Sequence, residues 1–310
     1  MTELLAARLG SMSGVRLLTA HADRLSAFYA DAFGFSPTPP RHEEPAALGR
    51  LLGIPGAEAR ALRMRLGQQE IELLSVLPRG RPYPRDLSSA DTIFQHIALV
   101  VTDMDAAIAR LSAAGGATPI SMGGPQALPE SSGGVTAYKF RDPEGHPLEL
   151  IKFPKGNTPL FWTTTSALPC LGFDHSAIVV ADTEGSLAFY RRLGLERGTS
   201  SLNTGPEQAR LDAVPDAAVE VTALTSVDGP PHIELLCYRG ASARTRAAAN
   251  DVAATQIAFE VADAGVLSRL VAAFATDLLS PGIVELGDGA SGALLRDPDG
   301  HRLLLRAASK

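Results

Sequence analysis

The chain has 310 residues, of which 45% are hydrophobic and 20% are charged, an ordinary globular composition. At roughly 100 to 200 residues per domain, this length predicts two domains. The formal charge is −6 and Lys and Arg form no runs, which argues against nucleic acid as a partner. Two cysteines are too few for a disulfide framework.

Apolar stretches such as 97–101 are far shorter than the roughly 20 residues that a membrane-spanning helix requires. The N-terminal segment has no sustained apolar core and so differs from a secretory signal. We therefore expect a cytoplasmic protein that acts on a small molecule and has no membrane partner. The oligomeric state stays open.

A repeated succession of elements runs along the chain. Each repeat begins with an apolar strand, continues with an Asp suited to cap a helix and a short amphipathic helix, and ends with further strands. The first strands are predicted at 15–19, 94–101, 173–180 and 255–261, and the N-caps at Asp23, Asp103, Asp182 and Asp263.

Longer motifs show that the two halves of the chain are also similar to each other. Residues 28–35 (FYADAFGF) recur at 189–196 (FYRRLGLE), residues 71–74 (IELL) at 233–236, and residues 141–146 (RDPEGH) at 296–301 (RDPDGH). The Asp-Pro-x-Gly-His segments predict tight turns between two strands. The sequence thus indicates four modules, at about 13–78, 93–153, 172–239 and 253–307.

Together these features resemble the vicinal oxygen chelate superfamily of glyoxalases, bleomycin-resistance proteins and extradiol dioxygenases. The resemblance implies an α+β fold of four βαβββ modules that pair into two glyoxalase-like domains, each an incomplete curved-sheet barrel around a groove. We predict an N-terminal domain at 1–155, a linker at 156–171 and a C-terminal domain at 172–310. The resemblance further implies metal ligands on the first and last strand of each module.

Polar residues inside otherwise apolar strands are the candidate ligands. Glu72, Glu149 and Glu234 interrupt closing strands of Ile and Leu, where an unpaired carboxylate would be costly. His96 and His175 stand at the start of first strands. Alignment of the repeats places Gly14 and Gln256 where the other two modules have His, and Leu304 where a Glu would be expected.

Each half therefore keeps three of four candidate ligands. The first half offers Glu72, His96 and Glu149, the favoured set, which suits one Fe, Mn, Ni, Co or Zn ion. The second half offers His175, Glu234 and Gln256, a weaker set for a possible second ion, similar to the mixture found in glyoxalase I. The alternative is that these groups are satisfied by Arg side chains or by the backbone.

The favoured hypothesis is a metal-dependent lyase or isomerase of glyoxalase type, with Glu72 or Glu149 as general base. An extradiol dioxygenase is less favoured, because neither half supplies two His and one Glu. Those enzymes also tend to carry Tyr ten residues before the ligand Glu, where this chain has Lys139. A third hypothesis is a metal-free binding or resistance protein. The turn residues His146 and His301 are interpreted as structural, and Lys139 is given no catalytic role.

Overall fold

The structure, a computed structural model, describes residues 9–163, 166–226, 229–240, 246–287 and 289–308. Over these ranges the chain is α+β, as predicted, with strands and short helices alternating in four similar modules. None of the helices in the described ranges is long and apolar enough to cross a membrane. The part of the N-terminal segment at 1–8 and residues 164–165 of the predicted linker lie outside the described residues.

The first two modules contain nine strands. Module 1 comprises β1 (Met12–Thr19), α1 (Ala22–Phe33), β2 (Ser36–Pro37), α2 (Pro45–Leu51), β3 (Glu58–Leu66) and β4 (Gln69–Leu77). Module 2 comprises β5 (Gln95–Val101), α3 (Met104–Ala114), β6 (Thr118–Pro119), β7 (Gln126–Ala127), a 3-10 helix (Glu130–Ser132), β8 (Thr136–Arg141) and β9 (Pro147–Lys152).

The last two modules repeat this order after a 3-10 helix at Leu160–Trp162. Module 3 comprises β10 (Cys170–Val179), α4 (Thr183–Arg192), β11 (Glu196–Asn203), α5 (Pro206–Asp212), β12 (Val219–Thr225) and β13 (His232–Tyr238). Module 4 comprises β14 (Gln256–Val261), α6 (Ala264–Ala273), a 3-10 helix (Ala275–Asp277), β15 (Val284–Gly287), β16 (Ala290–Arg296) and β17 (Arg302–Ala307).

Each of the two large curved sheets combines modules from both halves of the chain. One sheet has the order β15-β16-β17-β14-β1-β4-β3-β2 and joins module 1 to module 4. The other has the order β11-β12-β13-β10-β5-β9-β8-β6, with β7 beside β8, and joins module 2 to module 3. The sheets therefore do not follow the predicted division at 1–155 and 172–310, which paired module 1 with module 2.

Modules adjacent in sequence contact each other through helices and turns instead. Tyr29 on α1 donates a hydrogen bond to Asp142 in the Asp-Pro-x-Gly-His turn of module 2, and Tyr190 on α4 does the same to Asp297 in module 4. Both tyrosines are buried, in a core shared by the two sheets and the helices α1, α3, α4 and α6. The two motifs that revealed the repeat thus pack against each other.

The predicted helix starts are confirmed for three of the modules. The carboxylates of Asp103, Asp182 and Asp263 accept hydrogen bonds from backbone amides in the first turns of α3, α4 and α6. The prediction for Asp23 is wrong, because α1 begins at Ala22 and Asp23 lies in its first turn. The backbone amides of Ala20 and His21, just before α1, instead donate hydrogen bonds to the carboxylate of Glu144 in module 2.

Candidate functional site

Four polar side chains from the sheet of modules 2 and 3 converge on one cavity of about 590 Å³: His96, Glu149, His175 and Glu234. Strand register explains why they meet. Glu149 lies beside Ala98 of β5, two residues from His96, and Glu234 lies beside Ala177 of β10, two residues from His175. Because side chains alternate along a strand, each His shares a face with the Glu of its own module. The antiparallel pairing of β5 and β10 then unites the two pairs.

The spacing of these groups suits one bound cation. His96 Nε2 lies 2.8 Å from Glu149 Oε2, and His175 Nε2 lies 3.4 Å from Glu234 Oε2. Ligand atoms of His96, Glu149 and His175 all lie within 4.8 Å of one another. Ligands held about 2.1 Å from a metal ion are roughly 3 to 4 Å apart, so this donor set needs only small adjustments to bind an ion.

The imidazole of His96 supplies the strongest sign that the site accepts a cation. Both ring nitrogens are buried, and Nδ1 has no hydrogen-bond partner among the described residues. Nε2 faces the carboxylate of Glu149 at 2.8 Å. A buried nitrogen without a partner is costly, and a metal ion between the imidazole and the carboxylate would satisfy both.

The charges of the site also favour a bound cation. Burial lowers the pKa of His175, but Glu234 and Asp174 outweigh burial and raise it to about 9. Burial raises the pKa of Glu234, but His175 and His232 outweigh it and lower it to about 2. Burial and Lys139 hold the pKa of His96 below its ordinary value, and this favours the neutral imidazole that binds metals. The cluster has surplus negative charge, which a cation would balance.

A second layer of residues orients His175. Asp174 Oδ2 lies 3.1 Å from His175 Nδ1, and Asp174 Oδ1 accepts a hydrogen bond of 2.7 Å from Trp162 Nε1. His232 stands nearby, with Nδ1 3.8 Å from Asp174 and Nε2 3.6 Å from Glu234. Sequence reasoning missed Asp174, Trp162 and His232. Only the adjacency of Asp174 to His175 offered a signal.

A buried ion pair occupies another wall of the same cavity. Lys139 Nζ lies 2.7 Å from Asp212 Oδ1. Tyr238 and Gln208 donate hydrogen bonds to the other oxygen of that carboxylate, at 2.8 and 2.6 Å. Burial lowers the pKa of Lys139, but Asp212 and Glu149 outweigh burial and hold it above its ordinary value. The lysine is therefore a cation inside the cavity.

The remaining walls are mainly apolar, and the mouth is polar. Aromatic and aliphatic side chains line the interior, among them Phe153, Phe161, Leu128, Ile151, Val221 and Leu236. Residues 131–133, which precede β8, reach the cavity, as do residues 199–201 of β11. Such a chamber fits a small molecule with an oxygenated end and an apolar body.

Glu72 does not join His96 and Glu149, so the favoured ligand set is not assembled. It lies in the other sheet, beside Arg16 in the β1–β4 register, and accepts a hydrogen bond of 2.7 Å from Arg16 Nε. Arg41 also binds its carboxylate, and Arg63 Nε lies 3.9 Å away. These cations hold the pKa of Glu72 below its ordinary value against the opposing effect of burial. Arginine, and not a metal, compensates this buried carboxylate.

Gln256 is likewise separated from His175 and Glu234, so the second predicted set is not assembled either. The strand register confirms that Gln256 and Leu304 are the positions equivalent to His96 and Glu149. Leu304 lies beside Ala258, two residues after Gln256, just as Glu149 lies beside Ala98, two residues after His96. In module 1 the position equivalent to His96 is Gly14, which lies two residues before Arg16, the residue beside Glu72. The groove of modules 1 and 4 thus retains Glu72 and Gln256 only.

Apolar side chains of α2 fill much of this second groove. Ala47, Leu48 and Leu51 are buried against Leu18 and Leu74, which share a sheet face with Arg16 and Glu72. Within the described ranges, both groups of residues that are spaced to hold a metal lie in the groove of modules 2 and 3. One groove is therefore open and rich in ligands, and the other is packed.

Comparisons with known proteins agree with this fold. Models described as "Glyoxalase/Bleomycin resistance protein/Dioxygenase superfamily" match residues 15–128 and 172–305. Glyoxalase I from Zea mays is similar over 96% of this chain and 92% of its own, at 16% identity and a TM-score of 0.58. A variant of that enzyme gives a TM-score of 0.60 over 99% and 96%, also at 16% identity.

A putative dioxygenase from Bacillus subtilis subsp. subtilis is also similar, over 98% of this chain and 86% of its own, at 13% identity and a TM-score of 0.56. No curated protein sequence matches the chain. At these identities the solved structures establish a shared fold and leave the reaction open.

Proposed function

The chain belongs to the Glyoxalase/Bleomycin resistance protein/Dioxygenase superfamily, and we propose that it is a divalent-metal-dependent lyase or isomerase acting in the groove of modules 2 and 3. One observation carries this proposal. His96, Glu149, His175 and Glu234 converge on one cavity, although they come from different halves of the chain. We expect one metal site per chain.

The four side chains fit a divalent ion in number and chemistry. Two carboxylates balance its charge, and two imidazoles make the set suitable for Fe, Mn, Ni, Co or Zn. When bound, such an ion supplies Lewis-acid polarisation of a carbonyl oxygen. Four protein ligands leave two positions on an ion that binds six, which is the number that two adjacent oxygens of a substrate would occupy.

A carboxylate of the same site is available to move a proton. Glu149 and Glu234 both have a pKa below the ordinary value of a glutamate, so both are ionised at neutral pH. The side chain of Glu234 is 22% exposed, against 8% for Glu149, and lies farther from its histidine. We assign the general base to Glu234, which would release the metal to take the proton, since a substrate in the cavity reaches it more readily.

A ring-cleaving dioxygenase is the second candidate. The two His and one Glu absent from each half of the sequence are present in the assembled groove as His96, His175 and Glu149. Such enzymes must bind two substrate oxygens and O₂, and therefore need three free positions on the metal. Glu234 is a further carboxylate beside this trio and can accept a proton from a substrate, which favours proton transfer over oxygen chemistry.

Three measurements on the purified full chain test the proposal. Elemental analysis should find one divalent ion per chain, either as purified or after metal addition. The metal-loaded protein should catalyse exchange of deuterium from solvent into the carbon next to the carbonyl of an α-hydroxy carbonyl compound. Consumption of O₂ with a catechol would instead establish the dioxygenase, and a chain that binds no metal in either preparation would be a metal-free binding protein.

A further inference from the structure

Lys139 is buried in the wall of the cavity, next to the proposed metal ligands. It lies on β8 directly across from Glu149 on β9, so both side chains project from the same face of the sheet. Its side chain is only 4% exposed, and it lines the cavity together with His96, His175 and Glu234. A lysine is almost never buried to this degree without a partner.

That partner uses only part of the hydrogen-bonding capacity of Lys139. An ammonium group has three donors. Among the described residues, Asp212 accepts one of them. Asp212 itself has further partners in Tyr238 and Gln208, on the oxygen that Lys139 does not contact. The carboxylate is thus well satisfied, whereas the lysine has donors to spare at the edge of the cavity.

We propose that Lys139 is a catalytic residue whose ammonium group donates a hydrogen bond to the substrate oxygen that becomes negatively charged. This role rests on the function proposed above. The substrate class is an α-hydroxy carbonyl compound with an apolar remainder, which the aromatic and aliphatic walls accommodate. Donors fixed in advance where charge develops are among the largest contributions to catalysis.

The reaction step is balanced within the protein and the substrate. Glu234 takes a proton from the carbon next to the carbonyl, and the electron pair of that C–H bond forms a carbon–carbon double bond. The π pair of the carbonyl moves to its oxygen, where the N–H of Lys139 stabilises the enolate. The proton then returns from Glu234 to the former carbonyl carbon, and the hydroxyl proton of the substrate passes to the enolate oxygen, so that the hydroxyl-bearing carbon becomes the new carbonyl. Asp212, Tyr238 and Gln208 hold the lysine in position.

Binding of benzohydroxamate to the zinc-loaded full chain tests this role without an identified substrate. This probe chelates a metal through two adjacent oxygens, bears negative charge and carries an apolar ring. Lys139→Met should weaken its binding about 10- to 100-fold, the usual effect of losing a hydrogen bond to a charged group. Zinc content should stay unchanged. Lys155→Met, at an exposed position, is the matched control and should bind the probe like the unaltered chain.

Imidazole serves as a second probe, because it needs only the metal. Its affinity should be the same in Lys139→Met and in the unaltered chain. Should Lys139→Met fold poorly, the pair Lys139→Met with Asp212→Asn removes both buried charges and is expected to show the same selective loss. Unchanged benzohydroxamate affinity would overturn the role of Lys139, and so would an equal loss of both probes, which indicates a purely structural ion pair. A chain that takes up no zinc would instead refute the proposed function, and the role of Lys139 with it.

Discussion

His96 and His175 lie on adjacent antiparallel strands with their ring centroids 5.8 Å apart, although each belongs to a different half of the chain. Each half supplies one His and Glu pair, and the complete set of proposed ligands therefore requires both halves. The site forms only when module 2 and module 3 share a sheet. Its integrity should thus respond to changes in either half.

Removing a proposed ligand should remove the metal. We expect Glu149→Ala and His96→Ala to lower the metal content from one ion per chain to well below one, measured by elemental analysis after gel filtration. Gln256→Ala is the control, because Gln256 occupies the position equivalent to His96 but lies in the other sheet. Stoichiometric metal in Glu149→Ala would contradict the site.

Glu72→Ala should destabilise the protein without affecting its metal. The substitution leaves the buried Arg16 with the more distant carboxylate of Glu43, 3.7 Å away, and breaking a buried pair costs up to about 3–5 kcal/mol in the free energy of unfolding. Because the folded-state pKa of Glu72 is lowered, its contribution exists above the unfolded-state value and is lost as pH falls through the folded value. Urea unfolding at pH 7 and pH 4 should show a larger deficit at pH 7. Metal loss in this variant would reinstate Glu72 as a ligand.

Asp174→Asn should weaken metal binding while the four proposed ligands stay in place. Asp174 accepts the Nδ1 hydrogen of His175 and so orients Nε2 toward the site. Loss of such an outer partner typically lowers metal affinity about 10- to 100-fold, which competition with a chelator measures. Asp182→Asn is the control, since Asp182 caps α4 away from the cavity. Equal affinity in both variants would show that Asp174 does not orient a ligand.

His146 should make stability depend on pH. Both ring nitrogens face acceptors, the carboxylate of Asp142 at 2.8 Å and the carbonyl of Leu18 at 2.9 Å, an arrangement that favours the doubly protonated ring. Burial lowers the pKa of His146, but Asp142 outweighs it, so the folded-state pKa is raised. The stabilisation is complete below the unfolded-state value and is lost as pH rises through the folded-state value.

His146→Gln should therefore cost more at pH 6 than at pH 9, by about 1–3 kcal/mol in the free energy of unfolding, because the amide cannot carry the proton. Chemical unfolding at the two pH values measures the difference. His21→Gln, at an exposed position, is the control and should show no such dependence. A cost for His146→Gln that is the same at both pH values would mean that His146 is neutral in the folded protein.

The sequence was sufficient to identify the modules and the individual positions that matter. Counting along the repeated strands marks His96 and Glu149 as the polar positions of module 2, and the same counting correctly marks Gln256 and Leu304 as the positions where module 4 departs from His and Glu. These properties are local, since they depend on spacing within a module. Asp103, Asp182 and Asp263 could be recognised as helix caps for the same reason.

Which modules share a sheet was decided only by the tertiary structure. All four first strands are similarly apolar, so periodicity does not distinguish the pairing of β5 with β10 from other pairings. The choice depends on distant contacts such as Tyr29 with Asp142, which join neighbouring modules through their helices and leave their strands free for other partners. That choice brings His96, Glu149, His175 and Glu234 into one cavity and leaves Glu72 with Arg16, because strand pairing determines which buried carboxylate meets an imidazole and which meets a guanidinium.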